Sequence, residues 1–316
     1  MLRSAILAAS RNKGIERLVT HAPITSSLVQ RFVGGADTDG GVAAARSLVK
    51  HGLTVTLDHL GEDTTDAEQA RAVADAYVEL LDSLQRAGLH ERLGPLTARC
   101  DVSVKLSAVG QALAGDGEKI ALDNARRICT HAQRAGATVT LDMEDHTTTD
   151  STLAILHDLR LDFPDTAAVL QSYLRRTLQD CRELSGAGSR VRLCKGAYRE
   201  PASVAYQKRA DVDLSYVRCV NVLLAGQGYP MFATHDPRLI AIATERAAFH
   251  GNSLAAHEFQ MLYGIRPDEQ ARLARAGHTV RVYVPYGAQW YGYLMRRLAE
   301  RPANLTFFGR ALLSKG

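Results

Sequence analysis

From residue 53 onward the chain alternates two kinds of apolar pattern. Short runs rich in Val, Leu and Thr are separated by longer stretches whose apolar residues recur every three or four positions. The short runs fall at 53–58, 102–106, 138–142, 168–172, 191–195, 231–234, 257–261 and 280–284, and each predicts a strand. The helical spacing between them covers 66–88, 120–136, 149–159, 173–184, 203–225, 237–250 and 268–276. A strand–helix unit repeated in this way predicts a parallel sheet with crossover helices. Eight units in about 250 residues match the size of a closed (β/α)8 barrel. An open doubly wound sheet is the alternative, but no GxGxxG follows an early strand. Two strands rest mainly on the repeat, because 168–172 is short and 257–261 lacks β-branched residues.

Ahead of the barrel, 2–19, 24–31 and 41–50 read as helices, with Gly34-Gly35 and Asp39-Gly40-Gly41 as breaks. They are expected to pack on the barrel, one of them closing its bottom face. No linker isolates a second unit, so the expectation is a single domain over 1–316. Residues 1–50 supply the amino-terminal helices and 51–316 the barrel.

Composition excludes more than it identifies. At 316 residues the chain can bury a large core, and a net charge of +4 without a basic run argues against nucleic acid. The five cysteines form no CxxC and suit reduced thiols in a cytoplasmic protein. The apolar start at residues 4–10 is followed at once by Arg11, Lys13, Glu16 and Arg17, which favours an amphipathic helix over a signal peptide. No apolar run approaches the ~18 residues of a membrane span.

The carboxyl ends of barrel strands face one shared mouth. Here they are unusually polar. They supply Asp58 and His59, then Lys105, then Asp142, Met143, Glu144, Asp145 and His146, then Gln171 and Ser172. The later strands add Arg192 and Lys195, Thr234, His235 and Asp236, then Gln260 and Leu262, and finally Tyr283. Arg192 and Lys195 are three apart, so Lys195 must lie past its strand end for both to reach the mouth. Close to the end of the chain, Tyr293, Arg296, Arg297 and Glu300 share one side of a helix by i,i+3 and i,i+4 spacing. Two guanidiniums steadied by a carboxylate form a fork-shaped receptor for a small carboxylate.

Each of these residues also has a structural explanation, such as a buried ion-pair partner or a satisfied histidine. Together at one face they point to a ligand site, since buried charges need partners. Three chemistries would use them. A metal site could draw on Asp58, His59, Asp142, His146, His235 and Asp236, but the nearby cations oppose it. A Schiff-base lysine, Lys105 or Lys195, remains open. So does a large planar anionic cofactor, read by Gln and backbone groups and supported by Arg and Lys.

Six motifs then point to one family. They are Val102-Ser103-Val104-Lys105-Leu106-Ser107, Leu141-Asp142-Met143-Glu144, Arg192-Leu193-Cys194-Lys195-Gly196-Ala197-Tyr198, Ala233-Thr234-His235-Asp236, Glu258-Phe259-Gln260-Met261-Leu262-Tyr263-Gly264 and Tyr293-Leu294-Met295-Arg296-Arg297-Leu298-Ala299-Glu300. In this order the chain closely resembles the proline dehydrogenases, from the first strand to its end. The resemblance implies a (β/α)8 barrel that binds FAD and oxidises L-proline to Δ1-pyrroline-5-carboxylate by hydride transfer to flavin N5. Electrons would then pass to a quinone, in the first step of proline degradation to glutamate.

The resemblance also implies roles. Asp142 and Arg192 match the catalytic positions, with Arg192 near flavin N5. Arg296, Arg297 and Lys105 would hold the proline carboxylate, with Glu300 steadying the arginines. Tyr283 and Tyr293 would wall the ring, and Leu262 would pack on its methylenes. Met143, Gln171, Arg192, Lys195, Gly196, Ala197, Thr234 and His235 match flavin-binding positions. Gly196 is expected there because a missing Cβ lets backbone approach the cofactor. No metal is implied. The implied partners are L-proline, a membrane quinone and a pyrroline-5-carboxylate dehydrogenase, with a cytoplasmic location and peripheral contact at the inner membrane. Rival readings are an aldolase-like lysine enzyme, a folate-reducing flavin barrel and a non-catalytic binding barrel.

Overall fold

Alternation along each strand decides the architecture. A computed structural model describes residues 29–61 and 64–300, and within the last helix its side-chain description ends at Met295. Eight parallel strands close into a barrel in sequence order. They are β1 (Thr54–His59), β2 (Cys100–Lys105), β3 (Thr138–Asp142), β4 (Ala167–Gln171), β5 (Arg190–Cys194), β6 (Tyr229–Ala233), β7 (Glu258–Leu262) and β8 (Thr279–Tyr286). The short fourth strand and the seventh, without β-branched residues, both form and pair on each side. In the pairing register Lys105 lies beside Asp142, Asp58 beside Ser103, and Tyr283 beside Leu262.

The outward positions are the apolar ones. Val55 and Leu57, Val102 and Val104, Leu141, Leu193, Phe232, Phe259 and Val282 are all buried in one core beneath the helices. The helices are α1 (Thr38–Lys50), α2 (Ala67–Arg86), α3 (Gly117–Arg134), α4 (Thr149–Arg160), α5 (Thr177–Glu183), α6 (Arg209–Ala225), α7 (Pro237–Phe249), α8 (Pro267–Arg275) and α9 (Trp290–Glu300). Two of them begin later than their spacing predicts. Leu174 and Ala205 pair as an isolated antiparallel bridge, which takes the backbone at 173–176 and 203–208 out of helix.

The inward positions are charged through the depth of the barrel. At the lower level, Asp101 accepts hydrogen bonds from Thr56 at 3.0 Å, Thr138 at 2.7 Å and Thr140 at 2.9 Å, and from Arg190 at 3.3 Å. Glu258 receives Arg281 Nε at 2.7 Å and Nη2 at 3.1 Å. Arg281 also donates to the carbonyls of Val55 at 3.0 Å and Ala98 at 2.9 Å. Asp101, Arg190, Glu258 and Arg281 are fully buried. Burial alone would raise the Asp101 carboxyl, but Arg190, Arg281 and Arg192 outweigh it and hold the group below its ordinary range. Higher up lie Asp58, Lys105, Asp142 and Arg192, so four carboxylates meet four cations in this interior.

One expectation about the ends of the barrel needs correction. Asp39-Gly40-Gly41 is not a break but the first turn of α1, capped by the Asp37 side chain on Gly40 N–H at 2.9 Å. Glycine is needed at 35 and 40 because a Cβ on Gly35 would lie 2.5 Å from the Gly40 Cα. Helix α1 lies along the outer wall against β1, β8 and α2, not across the bottom. The segment 2–19 and most of 24–31 lie outside the described residues. Among the described residues, a small hairpin, 92–94 with 97–98, lies at that end, its Leu96 packed on Ala167, Tyr229 and Met231.

Replacing Arg281 with Met strands the Glu258 charge in the barrel, which costs about 3–5 kcal/mol when a buried pair is broken. Urea unfolding is expected to show that loss. Glu258→Gln on the same background should recover most of it, and a single variant as stable as the parent would deny the pair its structural weight.

Candidate active site

A cavity of about 1320 Å³ opens at the carboxyl ends of the strands. Among its lining residues are Lys105 from the end of β2, Asp142 and Met143 from the end of β3, Gln171 from β4, and Arg192 from β5. Lys195, Gly196 and Ala197 come from the loop after β5, and Thr234 and His235 from the loop after β6. Leu262 of β7, Tyr283 of β8 and Tyr293 of α9 complete this set. Lys195 follows the last residue of β5, as the three-residue spacing required. The side chains of Arg296, Arg297 and Glu300 lie outside the described residues.

The floor is one hydrogen-bonded array. Asp142 Oδ1 accepts from Arg192 Nη1 at 2.8 Å and from Ser103 Oγ at 2.7 Å. Asp142 Oδ2 accepts from the Tyr283 hydroxyl at 2.8 Å and lies 3.8 Å from Lys105 Nζ. Lys105 donates to Asp58 at 2.7 Å. Arg192 adds a bond from Nη1 to Ser103 at 2.9 Å and one from Nε to Gln260 at 2.5 Å, with its guanidinium 5.3 Å from the Tyr283 ring centroid. Burial and then the Asp142 charge push the Tyr283 hydroxyl far above its ordinary value, so it serves as a proton-bearing donor. Burial likewise raises Asp58, against the pull of Lys105.

The outer rim carries a second array. Lys195 Nζ lies 2.5 Å from Asp213 and 3.4 Å from Asp236, and Arg238 donates to the same two carboxylates at 3.2 and 2.8 Å. Asp236 also caps α7, and its bonds to Arg238, with the nearby Lys195, hold its carboxyl well below the usual range. His235 Nε2 accepts from the Leu262 amide at 2.9 Å, which fixes the imidazole tautomer.

Gly196 is held to glycine by the protein itself. Its φ is +103°, and a Cβ there would lie 2.3 Å from the ring of Tyr173. The ring and the positive φ each exclude a side chain there. Sequence reasoning assigned no role to Ser103, Asp213 or Arg238. Ser103 lies two residues before Lys105 and shares its face by strand alternation, so that signal was available. Asp213 and Arg238 sit on α6 and α7 and carry no periodic signature. Among the described residues no set of His, Cys, Asp and Glu is grouped to hold a metal ion, and no helix is long and apolar enough to cross a membrane.

A closed (β/α)8 barrel with catalytic-type acids and bases at the carboxyl mouth defines the class, a barrel enzyme. The family model described as "Proline dehydrogenase" matches residues 42–310. The chain is 39% identical to proline dehydrogenase of Deinococcus radiodurans, over 99% of this chain and 98% of that one. It is 36% identical to proline dehydrogenase 1 of Bacillus subtilis strain 168, over the whole of both. Among solved structures, proline utilization A from Bdellovibrio bacteriovorus inactivated by N-propargylglycine superposes with a TM-score of 0.80 at 26% identity. That match covers 92% of this chain and 34% of the other, so the chain spans about a third of that larger protein. The chain belongs to the proline dehydrogenase family, oxidoreductases that act on proline.

Gly196→Ala should cost about 1–3 kcal/mol, the range for a residue held in a disfavoured backbone region, with the ring clash added. Thermal unfolding and limited proteolysis between 196 and 206 would register it. A variant as stable and as protected as the parent would contradict the tyrosine contact.

Proposed function

We propose that the chain oxidises L-proline to Δ1-pyrroline-5-carboxylate with FAD as its cofactor and a quinone as the final electron acceptor. The observation that carries this reading is the convergence of Lys105, Asp142, Arg192 and Tyr283, from four strands, beneath Tyr293 of α9 at one cavity. That cavity exceeds the roughly 300–1,000 Å³ of a typical small-molecule site, so it has room for more than an amino acid. Its residues fit a flavin nucleotide. Arg192 borders the cavity, Gln171 offers an amide edge, and the cations Lys195 and Arg238 stand at the rim. FAD, when bound, supplies the N5 atom that accepts the hydride from proline.

The chain's own groups do the rest. In this reading Arg296, Arg297 and Lys105 hold the substrate carboxylate, Glu300 steadies the arginines, and Tyr283, Tyr293 and Leu262 enclose the ring. Fixing the substrate in this way removes an entropic part of the barrier. Hydride leaves C5 of proline in its unprotonated amine form, the nitrogen lone pair forming the C=N bond, and Asp142 holds Arg192, Ser103 and Tyr283 in one fixed array. Arg192, Lys195 and His235, with Met143, Gln171, Gly196, Ala197 and Thr234, form the cofactor surface, and the cations among them favour the reduced, anionic ring. The product would pass to a pyrroline-5-carboxylate dehydrogenase.

Two measurements test the reading. Protein reconstituted with FAD should show a flavin spectrum that bleaches on anaerobic addition of L-proline. A flavin that stays oxidised would turn the assignment to another amine or to a methylene-folate, and protein that takes up no FAD would bring the lysine chemistry forward. Arg297→Met should raise the KM for proline about 30-fold or more, since truncating a buried charged contact costs about 2–5 kcal/mol, while FAD stays bound. An unchanged KM removes the clamp.

A further inference from the structure

One neutral side chain links Arg192 to Glu258 in the lower charged level of the barrel. Gln260 Oε1 accepts from Arg192 Nε at 2.5 Å, while Gln260 Nε2 donates to Glu258 Oε1 at 2.6 Å and lies 3.3 Å from Met231 Sδ. Glu258 is fully buried and held by Arg281 and by the Tyr229 hydroxyl at 3.2 Å. An amide has an accepting end and a donating end. Arg192 can only donate and an ionised Glu258 can only accept, so a single orientation of Gln260 satisfies both. With Nε fixed from that side and Nη1 fixed by Asp142 and Ser103, the guanidinium plane is set from two directions.

Neutrality matters as much as orientation. Carboxylates and cations inside the barrel balance as the chain stands. A carboxylate at 260 would give Arg192 a third acidic neighbour besides Asp142 and Asp101, the latter 3.6 Å from its Nη2.

We propose that Gln260, oriented by Glu258 beneath it, is the positioning residue for Arg192 in the oxidation of proline, and that its neutrality keeps the positive charge of Arg192 effective at the cavity floor. The inference rests on the function proposed above. It differs from that function in resting on bonds made entirely within the protein.

The test uses full-length protein reconstituted with FAD, comparing the parent with Gln260→Met, which removes the acceptor, and Gln260→Glu, which keeps an acceptor and adds charge. FAD affinity, kcat and KM for proline, and the midpoint potential of the bound flavin are measured for each. Loss of an orienting partner behind a working group costs roughly 10–100-fold in activity where such groups have been removed. Gln260→Met is expected to lose that much in kcat, with KM for proline within about threefold and FAD still bound. Gln260→Glu is expected to shift the flavin potential to more negative values than the parent, because added negative charge opposes reduction. If Gln260→Met does not fold, the potential of Gln260→Glu alone decides. Variants with parental kcat and parental potential would overturn the inference while leaving proline oxidation standing. A parent protein that proline cannot bleach would remove the functional reading and this inference with it.

Discussion

The ion pair of Arg192 with Asp142 is the contact on which the rest of the interior depends. It ties the cavity floor to the barrel, because Arg192 continues through Gln260 to Glu258 and lies over Asp101, while Asp142 continues to Tyr283 and Ser103. A barrel interior filled by branched apolar side chains would pack well but could not hold a guanidinium in one place. The charged interior is costly to bury and tolerable only when every member finds a partner. The threonines at 56, 138 and 140 serve that need around Asp101, and the carbonyls of Val55 and Ala98 serve it around Arg281. Electrostatic preorganisation at the mouth is thus inherited from strands whose lower residues never meet a ligand.

Hydrophobic stabilisation is displaced to the outside of the sheet. Most apolar residues of the strands face the helices, and the large core lies in that outer shell, while β4 and β6 keep Ala167, Val169, Tyr229 and Met231 on the inner side. The same displacement explains the arrangement at the seam. Helix α1, which precedes β1, packs on both β8 and β1, with Gly34 N–H bonded to the Pro285 carbonyl at 2.8 Å. Because that outer place is taken, the helix after β8 is released from it. Tyr293 of α9 packs with Val33 and Leu60 and reaches the cavity.

Much of this was legible in the sequence, and the gaps have physical causes. Periodicity located all eight strands within a few residues, including two with poor intrinsic propensity, because the repeat itself constrains them. Strand ends gave the cavity lining, since period-two alternation aims Lys105, Asp142, Gln171 and Leu262 at the same mouth. Following that alternation further down would have reached Arg190, two residues before Arg192, then Asp101, four before Lys105, and Glu258, four before Leu262. Apolar filling is the default expectation for barrel interiors, and it hid them. The late starts of α5 and α6 follow from the Leu174–Ala205 bridge, a pairing across thirty residues that local spacing does not encode. The glycine at 196 was recognised, but the Tyr173 ring that excludes a side chain there is a tertiary contact.

The hairpin at 92–98 has a kinetic meaning as well as a packing one. With Leu96 set against Ala167, Tyr229 and Met231, and with two levels of paired charge above it, the described residues pack the lower end of the barrel and leave the cavity open at the carboxyl ends of the strands. If the proposed electron donor and acceptor both use that mouth, they have to take turns, and turnover follows a ping-pong order set by traffic as well as by chemistry.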